Sequence, residues 1–188
     1  MARATYTAYD HEGRRKYLTH TEGKQFLRCA RKVPRREALF CLTIHYTGIR
    51  ISEALAITRQ DIDASSGIIR VRTLKKRQYH EFRRIPIPGW LSTRLLALEA
   101  ETPQSRLWPF SRTTGWRVIK RVMAQAEISG VHATTKGLRH AFGVRGVIAG
   151  VPLTLLQELF GHSQIETTSI YLDVKDSEKR TLMRRTWK

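Results

Sequence analysis

From Leu18 onward, apolar positions recur mostly at helical spacing, interrupted once by an alternating stretch. Residues 1–17 are polar and basic without a period, which predicts a flexible N-terminal arm. Thr19 or Thr21 can cap a helix through about Ala30, with Phe26, Leu27 and Ala30 on its apolar side. Pro34 opens a second helix from Arg35 to about Tyr46, stopped by Gly48. A short third one, Ser52 to about Ile57, starts from a Ser cap with Glu53 in its first turn. Asp61–Asp63 and Ser65–Gly67 read as a turn. Ile68, Ile69, Val71 and Thr73 then alternate as a strand, with Phe82–Ile87 as its partner across a basic hairpin tip. Further helices are predicted from Pro88 to about Glu101, at about Gly115–Ala126, Lys136–Ala149 and Pro152–Phe160, near Thr167–Asp173, and over Ser177–Trp187. The fold class is mainly α with a small antiparallel β-sheet (α+β).

Composition narrows the function. With 188 residues the chain fits one domain, and at 41% hydrophobic content it can bury a core, which excludes a disordered basic tail. No run of about 18 apolar residues predicts a membrane span, and the N-terminus lacks the apolar stretch of a secretory signal. Cys29 and Cys41 form neither a metal nor a disulfide pattern, and no Asn exists to be glycosylated, so a reducing, cytoplasmic setting is expected. Lys and Arg number 34 against 16 Asp and Glu, a net charge of +18. Charge of that size implies a polyanion, with nucleic acid the first choice because binding releases condensed counterions. A basic surface serving solubility or ribosome assembly is the bland alternative.

The usual enzymatic signatures are missing. There is no phosphate-binding glycine loop, no zinc-protease helix motif and no paired CxxC. Asp61 and Asp63 lack a third partner for a two-metal site. What remains is a set of cations at breaks in the helical pattern. Arg50, in TGIRISEAL, follows a helix-ending glycine and precedes a helix N-terminus, where backbone N–H groups favour an anion. Lys75, Lys76 and Arg77 form the hairpin tip. Lys136 and Arg139, in KGLRH, are three apart and share a helical face. His162 follows a glycine at a helix end, and Tyr171 lies nine residues on, in GHSQIETTSIYLDV. Each feature alone is equally an ordinary surface cation, a helix-capping histidine or a packing tyrosine.

Together, in this order and spacing, the TGIRISE box, the hairpin lysines, KGLRH and GH…Tyr resemble the catalytic domain of the tyrosine recombinases, or phage integrase family, over roughly residues 18–175. The resemblance implies a site-specific DNA recombinase. Tyr171 would attack the scissile phosphate, form a 3′-phosphotyrosyl link and release a 5′-hydroxyl. Arg50 and Arg139 would clamp the non-bridging oxygens, and His162 would donate a hydrogen bond to one of them. A hairpin lysine, Lys75 ahead of the adjacent Lys76, would protonate the leaving oxygen. Lys76 and Arg77 would bind DNA. Glu53 would orient a nearby cation, and His140 would support Arg139 through a buried hydrogen bond. Neither ATP nor a metal is implied as cofactor.

The family usually has His where this chain has Lys136. A lysine stabilises charge but is a poor base at neutral pH, so His132 and water become candidate acceptors for the Tyr171 proton. The family also usually carries an N-terminal helical clamp. The 17 residues before Leu18 are too few for one, which suggests either a catalytic fragment or a short recombinase of the kind that inverts fimbrial promoter segments. Residues 176–188 are expected as a helix exchanged between protomers. Double-stranded DNA, self-association into a tetrameric synapse, accessory DNA-bending proteins and a place at the nucleoid, not a membrane, are the expected partners and location. A catalytically silent DNA-binding regulator and a type IB topoisomerase-like relaxing enzyme are the alternatives.

Overall fold

The structure is a computed structural model that describes residues 7–73, 82–172, 180 and 183. Helix α1 spans His20–Ala30 and begins at a reciprocal cap. The Glu22 N–H donates to Thr19 Oγ1 (3.3 Å), and the Thr19 N–H donates to Glu22 Oε2 (2.8 Å). Helix α2, Arg35–Thr47, runs through the centre of the domain against α1 and the later helices, and from Ala38 to His45 every residue is buried. Its sequence, ALFCLTIH, has no polar face to offer solvent, as a core helix requires.

Helix α3 is Ile51–Leu55, and a 3₁₀ turn at Arg59–Asp61 leads into the sheet. Strands β1 (Ile62–Asp63), β2 (Ile68–Arg72) and β3 (Phe82–Pro86) pair antiparallel in that order, with Ile69 opposite Ile85 and Val71 opposite Arg83. Helices α4 (Gly89–Leu96), α5 (Arg112–Gln125), α6 (Thr135–Ala149), α7 (Leu153–Phe160) and α8 (Glu166–Ser169) follow, with a 3₁₀ turn at Ile170–Leu172. The connector before α5 is locked to α2. Arg36 donates to the carbonyls of Leu107 and Glu99, and the fully buried Trp108 donates from Nε1 to the Arg36 carbonyl (3.0 Å).

The mainly helical fold with its small antiparallel sheet agrees with the sequence pattern, and several local expectations are corrected. Asp61–Asp63, expected as a turn, contains strand β1, because Ile62 between the aspartates turns into the core. Helix α3 starts at Ile51 rather than from a Ser52 cap, since Glu53 reaches back to the Arg50 N–H. Helix α4 stops at Leu96, short of Glu101, and α5 begins at Arg112 under a Ser111 cap (Oγ to the Thr114 N–H, 3.0 Å). The basic stretch before Leu18 is anchored at both ends of residues 8–17 rather than loose, with the turn at 11–14 exposed. A turn closed between Asp10 and Arg14 carries Ala8 and Tyr17, both almost fully buried, back to the core. The hairpin tip with Lys75, Lys76 and Arg77, and the helix expected over residues 176–188, lie outside the described residues, apart from residues 180 and 183.

Candidate active site

Four separate breaks in the helical pattern converge at one place. The first is the end of α2. Gly48 adopts a left-handed backbone (φ +63°), which turns the chain so that Ile49 is buried and Arg50 stands at the N-terminus of α3. The Arg50 N–H donates to Glu53 Oε2 (2.9 Å) and its Nη1 donates to Oε1 (2.8 Å). Glu53 is buried. Burial pushes its carboxyl up, but Arg83, the Arg50 N–H and the Arg50 guanidinium outweigh that and hold it below the usual range. It is therefore an anion that holds the Arg50 backbone and guanidinium together.

The second is the start of α6, where Thr134 Oγ1 accepts from the Gly137 N–H (3.1 Å). Lys136 is exposed in the first turn, close enough to His140 for its charge to count. Arg139, one turn on, is buried. Its Nη1 donates to the Gly48 carbonyl (2.8 Å) and its Nη2 to the Phe160 carbonyl (2.9 Å), with the guanidinium over the Phe160 ring at 4.5 Å. Burial and Arg50 lower its pKa to about 10, so it stays charged at neutral pH. His140 packs on Tyr171 with ring centroids 5.7 Å apart. The buried hydrogen bond expected of it is not made at Nδ1, which has no partner among the described residues. Burial, Arg139, Lys136 and Lys16 depress its pKa to about 4.

The third is the end of α7, where Gly161 again turns left-handed (φ +62°) and delivers His162. His162 stacks on Phe160, its Nε2 lies 3.1 Å from Arg139 Nη2, and its Nδ1 lies 2.9 Å from Thr168 Oγ1. A guanidinium can only donate, so Nε2 accepts and the proton sits on Nδ1, directed at Thr168. Burial and the charges of Arg139, Arg50 and Arg83 push His162 down to about 3, so it is neutral. In this arrangement it holds Arg139, and donation from Nε2 to a phosphate requires the other tautomer.

The fourth is the turn after α8, which carries Tyr171. The ring is 2% exposed and stacks on Phe160 at 5.0 Å. It lies over Gly143, where a Cβ would come within 2.6 Å of it. Burial raises its pKa to about 12, although Arg139 and Arg50 pull the other way. Tyr171 is thus a protonated phenol beside two guanidiniums. His132, a candidate proton acceptor, is turned away to Glu22 (Nε2 to Oε1, 3.3 Å).

One member of this cluster was not singled out from the sequence. Arg83, on β3, is buried, with Nη2 2.8 Å from Glu53 Oε2. Parity along the strand carries the signal: Ile85 and Ile87 face inward, so Arg83 must as well, an inward charge where the pattern calls for an aliphatic residue. Two guanidiniums, Arg50 and Arg83, therefore share one carboxylate, and Arg139 lies near enough to Arg50 for their charges to interact, leaving an excess of positive charge suited to a phosphate in transition. Among the described residues no group of three or more His, Cys, Asp or Glu is placed to hold a metal ion, and no helix is long and apolar enough to cross a membrane.

Comparison with known proteins identifies the family and the fold. The model of the phage integrase family matches residues 16–178. The tyrosine recombinase XerA of Thermococcus kodakarensis is 32% identical over 170 residues, covering 85% of this chain and 58% of that protein. Tyrosine recombinase XerC of Chlamydia pneumoniae is 31% identical over 147 residues, covering 71% of this chain and 46% of the relative. The chain thus spans about half the length of the curated relatives it matches. Among solved structures, a XerA recombinase superposes with a TM-score of 0.77 at 24% identity, covering 90% of this chain and 64% of that one. The catalytic domain of bacteriophage HP1 integrase gives 0.66 at 22%, covering 89% and 93%. With its boxes in order, its fold shared and its sequence matched from residue 16 to 178, the chain belongs to the phage integrase family of tyrosine recombinases.

Proposed function

We propose that this chain is the strand-transferring domain of a site-specific DNA recombinase that acts through Tyr171. One observation carries the reading. Arg50, Arg139, His162 and Tyr171, from four separate breaks in the helical pattern, meet around Phe160 and Glu53. The Tyr171 oxygen attacks phosphorus, its proton passing to water, and the bond to the 5′-oxygen breaks. That oxygen takes a proton from a hairpin lysine, Lys75 or Lys76. Arg50 and Arg139 stabilise the pentavalent phosphate, with Lys136 a further cation at its edge. A 5′-hydroxyl from another strand then reverses the step, so energy is conserved in the phosphotyrosyl bond. Double-stranded DNA is the partner, bound with the help of Lys76 and Arg77. Pairing of two sites implies four protomers, with residues 176–188 passing between them and DNA-bending proteins assisting where sites are distant.

Because Tyr171 is buried and protonated in the free domain, the reading also implies that DNA binding or assembly releases it. The test is covalent trapping. Wild type and Tyr171→Phe are incubated with nicked suicide duplexes spanning the DNA around the coding region, and SDS-resistant adducts are resolved. An adduct mapped to Tyr171 and missing from the Phe variant supports the reading. Salt-sensitive binding without any adduct would overturn it in favour of a silent DNA-binding regulator, and supercoil relaxation without joined products would favour a topoisomerase.

A further inference from the structure

Arg83 stands where a β-strand should bury an aliphatic residue, and burying a charge there costs more than it returns in stability. Its side chain is 4% exposed. Nη1 donates to the Leu159 carbonyl (2.7 Å), two residues before the glycine that delivers His162. Its Cδ and Nε lie so close to Gly161 that a Cβ there would come within 2.9 Å. Nη2 is 2.8 Å from Glu53 Oε2, but at angles that make an ionic contact rather than a hydrogen bond, so among the described residues Nη2 and Nε are buried donors without a hydrogen-bond partner. Glu53 is thereby shared: Oε1 takes the Arg50 guanidinium, while Oε2 takes the Arg50 N–H and faces Arg83. Without Arg83 the carboxylate would face Arg50 alone and cancel its charge.

We propose that Arg83 is a positioning residue for phosphoryl transfer: by dividing Glu53 with Arg50 and tying β3 to the Leu159–His162 turn, it leaves Arg50 with charge to spend on the phosphate. The proposal rests on the recombinase reading for its substrate, and the charge argument is open to test without it. With the full chain, titration of inorganic phosphate measures the charge of the cluster directly. Arg83→Met is expected to weaken phosphate binding about tenfold, Arg83→Lys to restore most of it, and Glu53→Gln alone to strengthen it. Loss of packing does not strengthen ligand binding, so a stronger Glu53→Gln complex separates charge from structure, even if Arg83→Met fails to fold. Phosphate binding that is unchanged or weakened in Glu53→Gln, or about tenfold weaker in Arg83→Lys, overturns the proposal.

The suicide duplex adds a second readout. On an ordinary scissile phosphate, Arg83→Met is expected to cleave on the order of 10²-fold more slowly, as for loss of a charge-stabilising donor. On a duplex with a neutral methylphosphonate there, which needs less cation, the deficit should shrink below about tenfold. Equal deficits on both duplexes would make Arg83 merely structural and overturn the proposal. If wild type forms no adduct on either duplex, the recombinase reading is what fails, and the phosphate titration still decides the role of Arg83.

Discussion

At the scale of single residues, the site depends on two glycines. Gly48 needs its left-handed backbone, and Phe142 lies against the place a Cβ would occupy (2.7 Å). Its carbonyl is also one of the two that hold Arg139. Gly143 is the floor beneath Tyr171. The expected outcome for Gly143→Ala is a tyrosine ring pushed from its place, with stability lowered by about 1–3 kcal/mol, the usual cost of overpacking. Adduct formation should fall far more than DNA binding. Urea unfolding and the trapping gel check this together, and an unimpaired adduct would show that Tyr171 does not need this seat. The boxes around these residues were legible in the sequence, since TGIR and KGLRH pair a cation with a helix end. The contact between Gly143 and Tyr171 was not, because 28 positions of chain separate them and only packing joins them.

At the scale of elements, α6 is the piece that sets the geometry, with Lys136, Arg139 and His140 in its first two turns. Thr134 closes its N-terminus through the Gly137 N–H. Thr134→Ala is expected to cost about 1 kcal/mol, as lost N-caps do, seen as a lower urea midpoint with an unchanged slope. Cleavage should fall alongside, because fraying there loosens Arg139; a normal rate in the destabilised variant would show that α6 is held by packing instead. The extent of α6, Lys136–Ala149 after a Thr-rich turn, was predicted to within a residue. Elements with weaker local signals moved. Strand β1 exists because β2 offers Ile62 and Asp63 a paired edge. The start of α3 is set by a Glu53 carboxylate that outcompetes the Ser52 hydroxyl for the role of cap.

At the scale of the molecule, three of the described histidines, the buried His45 and the half-buried His140 and His162, are held neutral. His45 is held at about 3 by burial with Arg145 and Arg31 nearby, His162 at about 3, and His140 at about 4. Their folded pKa values lie below the unfolded value of roughly 6.5, so the unfolded chain takes up protons first as pH falls. The stability they contribute is complete above about pH 6.5 and is lost progressively toward pH 4 and 3. Melting temperature should therefore decline steadily below pH 6.5, and His45→Phe, which keeps an aromatic ring against Phe26, should flatten that decline. An equal slope in both proteins would show that other groups drive it. The charge of +18 makes a second expectation: DNA affinity should drop on the order of 10³-fold between 50 and 200 mM salt, measured by fluorescence anisotropy. A shallow slope would point to few phosphate contacts.

The helical period, the turns at Gly48 and Gly161, the alternation of β2 and β3, and the order of the four boxes could be read from the chain alone. These are settled by short-range backbone preferences and by which faces are apolar, and both are written in neighbouring letters. Tertiary structure decided the rest. It packed Ala8 and Tyr17 against the core, brought Arg83 to Glu53, gave His162 its tautomer, and buried Tyr171 as a neutral phenol. Ion pairs and proton affinities depend on desolvation and on charges that arrive from distant parts of the chain, so they come into being only when the elements pack.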